Sequence, residues 1–484
     1  MKKNLFFTAI AALLLFFGAG EANAQQKVEF DAPAMTAEVQ TLAESIVNNQ
    51  TDPEAANKFL KKLQSKIKGN KEQATAACKY FLEAPLYPAA NICAKAAYAA
   101  DPTYVPGLMA YGYVYKLRKD WGNAGAKFDE VLTQEPGNTL AMRMAASMYK
   151  VSNPYAAKDY YAKILEVDPN NVEVHKELGD IAYDQKEYTD CVSEYGLYYK
   201  GMKDKKAAGL AVWERYLMSL YLTQDYYTAL DVLEVVQPLE PENIIFRRVK
   251  FFSEIENADF QAASESIKYI TEKTYADSVY TTLDYNYAGR FFTEVEDAEQ
   301  AIQYFRKSVE FADASASEYQ NLATALHYNN QSIEAIPYYQ KYLEMKGEDV
   351  KVSDEFLLGQ IYSGAAKNKD ITPEEKDKYV AEGDAVFAKC LELDPTNVLA
   401  CINRARLHIR NTSEAEEMPK TYYEQTLQLA QGNEDYNDQV YEAARYLMFY
   451  AFKKDDMGAC KKYFNIVTAI RPDDPLAAQL KKVL

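Results

Sequence analysis

A short pattern of small, apolar and proline positions recurs along this chain. A small residue is followed four positions later by an aromatic or aliphatic residue, and eight positions after that by a proline. The copies read Ala124, Phe128 and Pro136; Ala157, Tyr161 and Pro169; Ala229, Leu233 and Pro241; and Cys460, Phe464 and Pro472. Apolar residues around each copy recur at three- and four-residue spacing, which indicates amphipathic helices. Self-similarity of this kind predicts a stack of helical repeats.

Each copy extends backwards into a unit of about 34 residues, whose first half carries a glycine at the eighth position. The glycines are Gly112, Gly179, Gly289 and Gly359, and three residues after a glycine come the bulky side chains of Tyr115, Phe292 and Tyr362. Trp213 stands at the fourth position of its unit. The pattern resembles the tetratricopeptide repeat (TPR), in which a proline ends the second helix of each unit. The resemblance implies an all-α, right-handed superhelical α-solenoid of about 11–12 TPR-like helical hairpins.

The units begin near eleven positions. These are Lys71, Val105, Asn138, Val172, Leu210, Ile244, Thr282, Ala316, Val352, Val398 and Tyr441. We predict a TPR-like solenoid over residues 71–474, preceded by a degenerate helical hairpin that caps it within residues 25–70 and followed by a capping helix over residues 475–484. Six prolines stand where a unit closes: Pro102, Pro136, Pro169, Pro241, Pro395 and Pro472.

Two segments depart from the regular spacing. Residues 363–380 are longer than an ordinary turn and read as an insertion. Within them Thr372, Pro373 and Glu375 predict a helix start, because Thr caps a helix, Pro suits its first turn and an acid suits its positive end. The second helix of that unit is therefore expected to be extended. Residues 201–209, rich in Lys and bounded by glycines, are either a bend in the solenoid or a slightly long turn.

Residues 1–24 have the pattern of a signal peptide. Lys2 and Lys3 form a positive region, Leu5 begins an apolar stretch, and Ala22 and Ala24 flank a small-x-small cleavage site. We expect export of the chain, with the periplasm as the favoured location and a secreted or surface-associated state as the alternative. A lipid anchor is not expected, because the cleavage junction carries no cysteine. No other apolar run approaches membrane-spanning length.

Charge and side-chain chemistry narrow the function further. The formal net charge of −17 argues against nucleic acid as a partner, since an acidic protein repels a polyanion. The three histidines, His175, His327 and His408, have no metal-binding spacing, and no phosphate-binding glycine loop or nucleophile motif occurs. We therefore predict a protein that is not an enzyme and that needs no cofactor and no metal.

The six cysteines leave one question open. Most stand at small-residue positions of the repeat, where a free thiol behaves as a small hydrophobe. Cys78 and Cys93 fall within one predicted hairpin and are the best candidates for a disulfide. The sequence alone does not decide between a bridge and two buried free thiols, since bridge geometry is demanding.

The resemblance implies that the first helices of successive units line a concave groove, with the second, fifth, ninth and twelfth positions facing it. The ligand-binding residues predicted on this basis are Tyr113, Tyr149, Tyr183, Tyr221, Arg248, Phe252, Asn286, Arg290 and Gln320. Tyrosines, arginines and amides next to one another suit a peptide, because they offer area, charge and backbone hydrogen bonds. The alternative is that the chain, with 40 tyrosines, packs some of them between units.

We accordingly expect an interaction scaffold or adaptor of the bacterial cell envelope, which binds a protein or peptide in the concave groove. A second hypothesis makes it a subunit of an outer-membrane assembly or secretion complex. A third, from another class, makes it a cell-wall or glycan binder that uses the tyrosine row.

Overall fold

The structure, a computed structural model, describes residues 28–49, 51–84, 86–410, 415–482 and 484. The predicted signal peptide, residues 1–24, lies outside the described residues. The described residues contain α-helices and short 3-10 helices but no β-strand. They form two compact units, residues 28–257 and residues 258–484.

The described residues of the first unit form thirteen α-helices. They are α1 (Ala37–Asn48), α2 (Pro53–Ile67), α3 (Lys71–Glu83), α4 (Tyr87–Ala100), α5 (Val105–Leu117), α6 (Trp121–Gln134), α7 (Thr139–Tyr149), α8 (Pro154–Val167), α9 (Val172–Asp184), α10 (Tyr188–Gly201), α11 (Leu210–Leu222), α12 (Tyr226–Val236) and α13 (Ile244–Glu256). Successive helices from α1 to α12 pair into six antiparallel hairpins.

In the second unit, the part of the chain that the structure describes forms a further thirteen α-helices. They are α14 (Phe260–Ser266), α15 (Lys268–Thr271), α16 (Thr282–Glu294), α17 (Ala298–Val309), α18 (Ala316–Tyr328), α19 (Ser332–Lys346), α20 (Val352–Ala366), α21 (Pro373–Leu393), α22 (Val398–Leu407), α23 (Glu417–Leu429), α24 (Asn437–Lys453), α25 (Met457–Ile470) and α26 (Pro475–Leu480). Helices α16 to α25 pair into five hairpins. The prediction of an all-helical chain of consecutive hairpins is confirmed.

Prolines end the second helices of the hairpins, as the spacing predicts. Pro102, Pro136, Pro169, Pro395 and Pro472 each stand two residues beyond the last residue of a helix. Proline has no N–H to donate and cannot continue a helix, so the chain turns at that point into the next hairpin.

Glycines of the first helix allow an aromatic ring of the second helix to lie directly on the backbone. A Cβ built on Gly112, Gly179, Gly289 or Gly359 would lie 2.6, 2.7, 2.5 or 2.6 Å from the ring of Phe128, Tyr195, Phe305 or Phe387, respectively. All four rings are buried. Side chains at the eighth position would therefore separate the two helices of these hairpins.

The segments that depart from the regular repeat spacing form a long helix and short 3-10 turns. Helix α21 begins at Pro373, runs for 21 residues, and is capped by Thr372 and Glu375 in a reciprocal capping box, which confirms the predicted helix start and its extension. Residues 201–209 contain a 3-10 helix, Lys205–Ala208, and lie inside the first unit. Helix α24 begins at Asn437, earlier than the predicted start at Tyr441, because a 3-10 turn runs directly into it.

All six cysteines are buried and carry free thiols. The Cys78 thiol donates to the carbonyl oxygen of Ala90 at 3.3 Å. Cys78 and Cys93 thus lie in one hairpin, α3–α4, without a bridge between them. No helix among the described residues is both long and apolar enough to cross a membrane.

Candidate functional site

Residues 28–36, which we call the N-terminal segment, lie across the first helices of three successive hairpins. The segment precedes α1, has no helical structure, and contacts side chains of α3, α5 and α7. We call the surface that these three helices present to it the inner groove. It lies entirely within the first compact unit.

Phe30 anchors the segment in the inner groove. Its side chain is 3% exposed, and its ring centroid lies 5.5 Å from that of Tyr113 on α5. Lys79 of α3 donates its ammonium to the carbonyl oxygen of Phe30 at 2.6 Å and also lies 5.5 Å from the Phe30 ring centroid. Tyr113 in turn packs edge-on against Phe128, so the anchor extends the core of the hairpin α5–α6.

Gln73 of α3 binds the backbone at the other end of the segment. Its side-chain nitrogen donates to the carbonyl oxygen of Ala34 at 3.0 Å, and its side-chain oxygen accepts from the N–H of Thr36 at 2.7 Å. Both bonds involve only main-chain atoms of the segment, so they do not depend on its side chains. Main-chain bonds of this kind give affinity when an extended peptide is bound along a strand. The inner groove therefore holds a peptide main chain at two points, through Gln73 and Lys79.

Positive charge surrounds the anchor. Glu29 forms an ion pair with Arg143 of α7, and its N–H donates to the Tyr113 hydroxyl at 3.4 Å. Lys116 of α5 lies 5.5 Å from the Tyr113 ring centroid. Burial lowers the pKa of Lys116 and raises the pKa of Tyr113. The inner groove thus offers an aromatic slot beside cations, and the segment fills it with an acid followed by an aromatic residue.

Tyr113, which the sequence predicts to bind a ligand, is covered by the N-terminal segment. It stands at the ninth position of its unit and is 2% exposed. Lys79 stands at the ninth position of the unit that begins at Lys71, so the repeat phase could have identified it as well. Gln73 and Arg143 do not stand at the predicted groove positions, and no sequence pattern marks them.

Tyr149 packs between hairpins. Its hydroxyl donates to Asp129 of α6 at 2.6 Å, and Tyr160 of α8 donates to the same carboxylate at 2.7 Å. Its ring also lies against Gly125 of α6. This twelfth-position side chain therefore joins its own hairpin to the preceding one, as the alternative interpretation expects.

Tyr183 and Tyr221 also have neighbours within the first unit. The Tyr183 ring is half-buried, with the Arg215 guanidinium 5.4 Å from its centroid. Tyr221 is 4% exposed and lies 5.7 Å from the ring of Phe252, which is buried too. Arg248 is likewise buried. The structure therefore does not present these residues as one exposed aromatic row.

The remaining predicted residues lie in the second unit. Asn286 is buried and donates to Glu318 at 3.2 Å. Arg290 is half-buried, with its guanidinium 4.6 Å from the Tyr287 ring centroid, and Gln320 is half-buried on α18. A ligand role for these residues stays a prediction.

A buried carboxylate links the end of α7 to the next two first helices, α9 and α11. Asp180 of α9 accepts from Lys150 and Lys176 at 3.0 Å, from Arg215 at 2.9 Å and from the Tyr195 hydroxyl at 2.6 Å. Burial alone would raise the pKa of Asp180, but the neighbouring cations outweigh it and the pKa is lowered. The network ties α9 to Arg215 of α11 and to Lys150, directly after the end of α7. Among the described residues, no group of three or more His, Cys, Asp or Glu side chains could hold a metal.

No known family profile matches the chain. Solved structures with some similarity include the C-terminal part of a TPR repeat-containing protein from Cytophaga hutchinsonii, at 20% identity over 55% of this chain and 98% of that one, with a TM-score of 0.43. A tetratricopeptide repeat protein from Parabacteroides merdae matches at 13% identity over 53% and 98%, with a TM-score of 0.32. The fold follows from this chain's own consecutive hairpins.

Proposed function

We propose that this chain is a non-enzymatic scaffold that binds a peptide segment of a partner protein along the first helices of its hairpins. The observation that supports the proposal is the N-terminal segment itself. A non-helical stretch of chain is held across α3, α5 and α7 through backbone hydrogen bonds, one buried ring and one ion pair. A surface that holds one peptide in this way has the groups required to hold another.

The groove chemistry favours a peptide over a small molecule. Gln73 and Lys79 bond to main-chain atoms, which every peptide offers at regular intervals. Phe30 is buried beside the Tyr113 ring, and Arg143 pairs with one carboxylate, that of Glu29. Buried aromatic anchors with polar surroundings are typical of interfaces in which a few residues dominate the binding energy.

We further propose that the scaffold works in the bacterial cell envelope, where an outer-membrane assembly or secretion complex is the alternative setting. The signal-peptide pattern of residues 1–24 supports export. The glycan-binding alternative has less support, since it depends on an exposed tyrosine row, whereas Tyr149 packs between hairpins and Tyr221 is buried.

Photo-crosslinking in living cells tests the proposal. Ser147 is exposed one helical turn beyond Arg143 on α7, next to the inner groove, whereas Asp159 is exposed on the second helix α8. A photo-crosslinking amino acid at position 147 is expected to capture a defined envelope protein, and the same amino acid at position 159 is the matched control. Capture from position 159 alone, or equal capture from both, would contradict binding along the first helices.

A further inference from the structure

The N-terminal segment occupies the inner groove in the manner of a ligand. Its hydrogen bonds reach far along the chain, since Lys79 is 49 residues from Phe30 and Tyr113 is 84 residues from Glu29. Its backbone is bound at Phe30 and Ala34, and its aromatic side chain is enclosed. The same contacts could be made by a peptide that is not part of the chain.

The occupant also defines the chemistry that the inner groove accepts. An acid, Glu29, meets Arg143, and the next residue, Phe30, lies between Tyr113 and Lys79. A cation close to a ring attracts the ring's electron-rich face, so an aromatic residue suits the slot better than an aliphatic one. An acidic residue directly followed by an aromatic residue is therefore the matching pair.

The segment is held by one buried ring and by partly buried apolar contacts with the same core. Among residues 28–36 only Phe30 is buried, while Glu29, Asp31 and Ala34 are exposed. The Arg143 side chain is 42% exposed, so its pairing with Glu29 is of the weak, solvated kind. The hairpin α5–α6 closes through its own contact of Phe128 with Gly112. That contact does not involve the segment, so it does not depend on whether the segment is bound.

We infer that the N-terminal segment is an intramolecular ligand of the inner groove, and that a partner peptide with an acidic–aromatic pair binds there by displacing it. The inference rests on the proposed function and adds to it the partner's chemistry and a competitor built into the chain. Because the segment competes with a partner peptide, the apparent affinity for the partner equals its intrinsic affinity multiplied by the fraction of molecules whose groove is open.

The inference is tested by measuring the affinity of a labelled peptide of residues 28–36 for the protein of residues 25–484. Fluorescence anisotropy reports the binding. The Phe30→Ala chain should bind the peptide roughly tenfold more tightly than the unaltered chain, because its own segment no longer competes well. The same peptide with alanine in place of phenylalanine should not bind either chain. Asp31→Asn, an exposed neighbour, is the matched control and should behave as the unaltered chain does.

A charge exchange provides a second variant that leaves the buried ring in place. Glu29→Lys places like charge beside Arg143 and should also raise peptide affinity, by less than Phe30→Ala does. A chain with Arg143→Glu should prefer a peptide that carries lysine in place of Glu29. Circular dichroism checks that each variant keeps its helices.

The outcomes separate the inference from the proposed function. Equal peptide affinity of the unaltered and Phe30→Ala chains, or no binding to either, overturns the inference, and the segment is then a fixed part of the fold. Crosslinking from position 147 would still support the scaffold in that case. An unaltered chain that is dimeric by sedimentation and becomes monomeric on Phe30→Ala would also overturn it, because the segment would then bind a second copy.

Discussion

The ring of Tyr195 lies on Gly179 so closely that a Cβ at position 179 would come within 2.7 Å of it. The Tyr195 hydroxyl continues past this contact and donates to Asp180 at 2.6 Å. One tyrosine thus joins α9 to α10 and also completes the charge network that ties α9 to its neighbours. Both contacts depend on the absence of a side chain at position 179.

Gly179→Ala should therefore destabilise the protein. The added methyl group meets a ring that is fully buried and tied by a hydrogen bond, so the ring cannot move aside without loss. Overpacking of this kind costs on the order of 1–3 kcal/mol. Urea unfolding measures the change in the free energy of unfolding.

Gly122 of α6 is the matched control. A Cβ at that helical position meets nothing within 4 Å, so Gly122→Ala should be neutral or stabilising by up to about 1 kcal/mol. Equal losses from the two substitutions would mean that the Tyr195 contact is not what demands glycine at position 179.

The hairpins are predictable from the sequence because their contacts follow local spacing. Gly179 and Tyr195 are separated by the length of one helix and one tight turn, and the same separation recurs in Gly112 and Phe128. A periodic pattern is sufficient to locate such pairs.

The inner groove is less predictable. Tyr113 stands at a predicted groove position, but Phe30, which covers it, belongs to a segment with no periodicity and meets it only through the folded chain. Tyr149 shows a second reason. The position of Tyr149 in the repeat predicts on which face of its helix it lies. The direction of its side chain depends instead on a hydrogen bond to Asp129, a carboxylate in another hairpin.

Damage to one hairpin should remain local. Ala157 of α8 is fully buried in a cluster formed by side chains of α7, α8 and α9, so Ala157→Leu overpacks that site at a cost on the order of 1–3 kcal/mol. Because repeats contact mainly their neighbours, hydrogen exchange should accelerate over residues 138–205 and stay unchanged over residues 437–470. Ala298→Leu, at an exposed position, serves as the control. Uniform acceleration along the chain would argue against a stack of repeats.

Asp384 should make the second unit sensitive to acid. Burial would raise the pKa of this carboxyl, but two hydrogen bonds of 2.8 Å from Arg404, together with His408 at 3.1 Å, lower it to about 2. A lowered native pKa contributes stability above the unfolded value near 4, and that stability is lost as the pH falls towards 2. The contribution is at most roughly 2 kcal/mol.

Asp384→Asn isolates that contribution. The unaltered protein should exceed the variant in the free energy of unfolding at pH 4.5, and the difference should shrink by pH 2.5. Arg404 remains without its charged partner in the variant, so the loss at the higher pH includes the cost of that half-buried cation. A difference that does not change with pH would show that Asp384 is protonated, or equally ionised, in both states.

The cysteines give the last prediction. Each of the six thiols is buried in the native protein, and burial raises the pKa of Cys93 and Cys191 to about 12. Because the thiolate is the reactive form, an aromatic disulfide reagent at pH 8 should react slowly with the folded chain. Unfolding in guanidinium exposes the thiols and removes the burial that raises their pKa values. All six cysteines should then react quickly.

The number of thiols released on unfolding decides between the two states that the sequence leaves open for Cys78 and Cys93. Six reactive thiols without a reductant correspond to the structure, in which Cys78 donates to the Ala90 carbonyl and is not bridged. Four, rising to six after reduction, would mean that an oxidising compartment has joined this pair. Cys78→Ala would then lower the stability of the unreduced protein far more than that of the reduced protein, because a bridge constrains the unfolded chain. With free thiols, the substitution should have the same small effect under both conditions.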